Sequence, residues 1–86
     1  MQQNLITDFN NRLELLRQDV SADNIFAVIA EEKLIALLEE MQKAKNIFLT
    51  QQINDKEIKA LNSLINQAND FLDFVQDSIE ARRINL

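Results

Sequence analysis

Residues Ile58 to Arg83 read IKALNSLINQANDFLDFVQDSIEARR. Apolar side chains fall at Ile58, Leu61, Ile65, Ala68, Leu72, Val75 and Ile79, in alternating steps of three and four that stack on one face of an α-helix. The other side carries Asp70, Asp73, Asp77 and Glu80, with no Lys or Arg among them. A core-facing helix accounts for the first pattern. The second leaves a choice between a docking surface and the solvated back of a helix.

Two further segments repeat the rhythm. Ile6, Phe9, Leu13, Leu16 and Val20 lie at helical spacing, as do Ala27, Ala30, Leu34, Leu37, Met41, Ala44 and Phe48, with Ile35 and Leu38 widening the second stripe. The breaks between segments, VSADN and QQIND, supply capping oxygens from Ser21 or Asp23 and from Asn54 or Asp55, and Glu57 adds favourable charge to the first turn of the last helix. The pattern predicts an all-α fold with helices near 3–19, 22–50 and 55–82. Short connections make neighbours antiparallel, giving an up-down-up three-helix bundle in one domain over 1–86. A coiled-coil rod fits less well, because each run is short and interrupted by caps.

Composition agrees. The 86 residues include no Gly, Pro, Cys, His, Trp or Tyr. Hairpins and tight turns lose their usual residues, while Leu, Ile, Ala, Glu, Gln and Lys favour helix. The longest apolar run, Ile25 to Ala30, is far too short to span a bilayer. The opening MQQNLITDFNNR shows no signal-peptide pattern, and the expected location is cytoplasmic, in a bacterium, a phage or its host.

Most chemistry is disfavoured. Without Cys or His, thiol catalysis and thiolate zinc sites are excluded. Ser21, Ser63 and Ser78 have no imidazole base nearby, and without Gly no loop can cradle phosphates. Carboxylate pairs at helical spacing could hold Mg²⁺ only if they converged from facing helices. Asp70 and Asp77 instead sit opposite the apolar seam, so no metal and no cofactor are expected. The net charge of −5 disfavours nucleic acid and anionic membrane as direct ligands and permits a basic protein partner. The expected function is therefore non-enzymatic. It is that of a small acidic regulator or inhibitor, of the anti-defence or immunity-protein type, that occupies a basic and even nucleic-acid-binding surface of a larger protein. Asp70, Asp73, Phe74, Asp77 and Glu80 would form the partner-binding surface. Phe74 either touches the first helix or stands exposed among the carboxylates as a binding anchor.

Three further expectations concern local packing. Helices two and three would run ~42 Å and helix one only ~25 Å, leaving a bare hairpin tip. Its apolar residues, Ile47, Phe48, Leu49, Ile58, Leu61 and Leu64 together with Ile53, would then form a homodimer interface of a scaffold or adaptor, rimmed by Lys43, Lys45, Lys56 and Lys59. NIFAVIA, Asn24 to Ala30, is apolar nearly all round, and burial in the core is the expected resolution, ahead of a helix break near Ala30–Glu31 or cover by a partner. Glu31 lies where an apolar residue is expected, so an ion pair with Arg12 is anticipated. A Mg²⁺-dependent nucleotide hydrolase is the third functional class.

Overall fold

A computed structural model describes residues 2–52 and 55–84, with side chains over 5–52 and 55–81. Ile53, Asn54 and the side chains of Arg82 and Arg83 lie outside that description. Three helices follow in order: α1 (Gln2–Ser21), α2 (Ala27–Thr50) and α3 (Asp55–Ile84). They make an elongated three-helix bundle of 50 × 20 × 16 Å, in which α2 and α3 pack most closely.

The three–four stripes build the core. Leu13, Leu34, Leu37, Met41, Leu61 and Val75 are fully buried, and no described polar side chain is buried with them. Ile6, Ile25, Leu38, Ile58, Phe71 and Leu72 pack around this cluster as half-buried residues.

The two connections explain how a chain without glycine turns. After α1 the N–H of Asn24 donates to the Asp19 carbonyl at 2.9 Å and the N–H of Asp23 to that of Val20 at 3.2 Å. Asp23 sits at φ 60°. These are the paired bonds and the left-handed residue of a Schellman ending, usually built on glycine. Asp takes the position because a short polar side chain tolerates it better than most. The turn after α2 places Gln52 at φ 54°, with the Gln51 N–H donating to the Ile47 carbonyl at 2.9 Å.

That first connection moves the start of α2. Helix two begins at Ala27 and not near 22, because Asp19 to Asn24 are committed to ending α1. Neither Ser21 nor Asp23 caps α2. The N-cap is Phe26, extended at φ −68° and ψ 140°, with no side-chain cap bond. NIFAVIA is therefore not buried all round. Only Ala30 is buried, Ile25 and Ala27 are half-buried, and Phe26, Val28 and Ile29 are exposed. Helix α2 runs unbroken through Ala30 and Glu31.

The helix register changes two further expectations. Arg12 forms a bidentate pair with Glu40, at 3.2 and 2.5 Å, and reaches Asp8 at 3.8 Å. It does not pair with Glu31, which lies nine residues up α2, ~13 Å along the axis. Glu31 is half-buried and makes no ion pair with a described residue. With Arg12 level with Glu40, the start of α1 lies beside the end of α2, and Leu5, Phe9, Ala44, Ile47 and Phe48 line one hollow. The tip is accordingly not bare. Phe48, Leu61 and Leu64 are core residues and cannot serve as an interface, Ile58 is half-buried, and only Ile47 and Leu49 are exposed. At the opposite end, where the first turn of α2 runs past the end of α1, Phe26, Val28 and Ile29 are exposed.

Candidate functional site

The outer face of α3 is built by the same helical spacing that makes its core stripe. Asp70, Asp73, Asp77 and Glu80 are all exposed, about one turn apart over ~15 Å of helix. None makes an ion pair with a described residue. Among the described residues no three acidic side chains converge as a metal site would require. A set of like charges at three- and four-residue spacing costs a few tenths of a kcal/mol per neighbouring pair, roughly.

Phe74 stands on the flank of this face and is 58% exposed. Asp70 lies one turn before it and Asp77 one turn after. Its ring stacks on Phe71 with centroids 6.2 Å apart and planes 13° from parallel, an offset geometry near the long end of favourable aromatic pairs. Phe71 is half-buried against the core. The Arg17 guanidinium lies 5.9 Å from the Phe71 centroid, within cation–π range, and its other side donates to Glu14 at 2.6 Å. The hydroxyl of Ser78 donates to the Phe74 carbonyl at 3.1 Å. A line of contacts from Glu14 through Arg17 and Phe71 thus supports an exposed ring between carboxylates. An anchor already held in place loses less side-chain freedom on binding than a free one.

The sequence places the five residues Asp70, Asp73, Phe74, Asp77 and Glu80 on one helix side, and the structure brings them together there. Arg17 and Glu14 are missed by sequence reading. Their role depends on the axial offset between α1 and α3, which no periodicity within either helix encodes. The remaining charge feature is the Arg12–Glu40 pair. Its hydrogen bonds hold the Glu40 carboxyl below its ordinary value and raise Arg12 above its own. Both side chains are substantially exposed, so the pair is worth well under ~1 kcal/mol.

No helix among the described residues is long and apolar enough to cross a membrane. Comparison with protein-family models, curated proteins and solved structures finds no match.

Proposed function

We propose that this chain is a non-enzymatic, protein-binding regulator or inhibitor, acting in the cytoplasm, that docks the outer face of α3 on a basic surface of a partner protein. The observation that carries the reading is Phe74. Large aromatic side chains are seldom left in water, yet this ring is exposed, supported from behind by Phe71 and Arg17, and flanked by Asp70 and Asp77. An aromatic anchor with a charged rim is the common composition of a binding hot spot. The carboxylates would steer a cationic partner toward the ring and lose their mutual repulsion on contact. A partner surface shaped to hold nucleic acid would suit them, since it offers clustered Lys and Arg.

The test is affinity capture from the cells that make the protein, with three baits: wild type, Phe74→Ala, and Asp70→Asn/Asp73→Asn/Asp77→Asn. The reading expects a basic protein retained by wild type, released by moderate salt, and lost or strongly reduced with both variants. Equal retention by all three baits would remove the α3 face from consideration.

A further inference from the structure

The face shared by α1 and α2 carries a second pattern, separate from α3. Five of the exposed large apolar residues, Leu5, Leu15, Phe26, Ile29 and Ile47, lie along it or line its hollows. Leu15 is 58% exposed and Phe26 75%. Near its middle are four charges in a checkerboard. Arg12 of α1 is level with Glu40 of α2, to which it is bonded. Two turns along, Asp19 of α1 and Lys33 of α2 line a common hollow with Leu15 and Ala36. Positive and negative thus alternate both along each helix and across the pair.

We propose that two copies of this chain associate through the α1/α2 face, antiparallel about a two-fold axis that passes by Leu15 and Ala36. Arg12 and Asp19 lie three residues before and four after Leu15, and Lys33 and Glu40 stand in the same relation to Ala36. Turning a second copy end for end over this face lays its α1 on α1 and its α2 on α2. Arg12 then meets Asp19 of the second copy, and Lys33 meets Glu40 of the second copy, each twice by symmetry. At the centre Leu15 meets its own counterpart, and the small Ala36 lets the α2 helices approach.

The two ends of the face differ, and this selects the antiparallel arrangement over a parallel one. At one end Phe26 projects beyond the end of α1. At the other a hollow of about 320 Å³ is lined by Leu5, Phe9, Ala44 and Ile47 among others. Phe26 and Ile47 lie ten and eleven residues to either side of Ala36. The two-fold therefore lays Phe26 of each copy on the hollow of the other. A parallel pair would leave both Phe26 rings over the gap past α1.

Charge supports a second copy as the occupant. The chain as a whole carries −5, but along the helical part of this face Asp8, Arg12, Asp19, Lys33, Glu40 and Lys43 balance, and Asp23 at its edge adds a single negative charge. The acidic face of α3 stays outside, so the dimer would display two such faces. From Phe26 to Ile47 is ~31 Å of helix, and the molecule is 20 Å wide, so each copy contributes on the order of 600 Å², below a standard ~800 Å² side. Association in the micromolar range is expected.

The 86-residue sequence contains no cysteine, which makes cross-linking a clean test. Ala36→Cys places two thiols at the two-fold and should give a disulfide-linked dimer under mild oxidation. Asp73→Cys on α3 should give little. In sedimentation, wild type should be dimeric at tens of micromolar, and Leu15→Glu should weaken association by at least ~10-fold. Lys33→Glu, which sets like charges against Glu40 of the second copy, should do the same if Leu15→Glu fails to fold. A wild-type protein that is monomeric at about 100 µM would overturn the proposal. So would folded Leu15→Glu and Lys33→Glu proteins that dimerise like wild type, or Ala36→Cys cross-linking no faster than Asp73→Cys.

Discussion

Replacing Phe26 by Ser should stabilise the monomer while removing one of its larger exposed apolar groups. Phe26 is the N-cap of α2, and its apolar side chain makes no cap bond to the free N–H groups of that first turn. The first turn also lacks an acidic residue. A Ser hydroxyl at an N-cap is worth ~1 kcal/mol against a non-capping residue. Against that stands lost burial. Phe26 is 75% exposed, so only about a quarter of the ~3 kcal/mol available to a fully buried Phe is at stake, or ~0.7 kcal/mol. The net is a gain of a few tenths of a kcal/mol, or a rise of ~1–3 °C in melting temperature for a domain of this size. Urea unfolding at submicromolar concentration, where the monomer dominates, measures it directly. Destabilisation by ~1 kcal/mol or more would show instead that Phe26 packs on the core far more than its exposure allows. The same variant should dimerise less, so stability and association move in opposite directions.

Other outcomes follow from the same packing. Gln52→Gly should stabilise the fold by ~1 kcal/mol in urea titration, since a residue at φ 54° loses its Cβ clash; Asp23→Gly should gain less, because Asp tolerates that region. Glu31→Leu should be neutral or stabilising in the same assay, as the half-buried carboxylate makes no ion pair with a described residue. The Glu40 carboxyl is held below its ordinary value of 4.5. Its contribution is therefore fully present above that pH and lost as the pH falls through its folded value, so Glu40→Gln should flatten acid titration of stability in that window. The effect should stay below ~1 kcal/mol, given the exposure of the pair.

Periodicity carried the fold. The stripes from Phe9 to Leu16, Leu34 to Phe48 and Leu61 to Ala68 become one core, and α1 and α3 end within about two residues of their expected bounds. What periodicity cannot carry is the offset between helices. Placing α2 from 22 put Arg12 beside Glu31 and left the α2–α3 tip bare. The Schellman ending at Asp23 shifts α2 and pairs Arg12 with Glu40. Phe48, Leu61 and Leu64 then belong to the core. Without glycine the turn signal was faint, since Asp23 in VSADN reads equally as a cap. The acidic side of α3 was legible, because exposure on one helix follows from spacing alone. The support of Phe74 by Arg17 was not, because it spans two helices. Phe26 breaks two local rules at once, as an exposed aromatic and as a poor cap, and such places are where function is expected to override stability.

The proposed function rests on attraction between the α3 carboxylates and a basic protein. The most direct measurement is the association rate of the captured partner against ionic strength, for wild type and for Asp70→Asn/Asp73→Asn/Asp77→Asn. Electrostatic steering predicts a wild-type rate that falls steeply as salt rises, and a variant rate that is lower at low salt and nearly flat. Superimposable salt curves for the two proteins would contradict the claim and leave the acidic side as the solvated back of a helix.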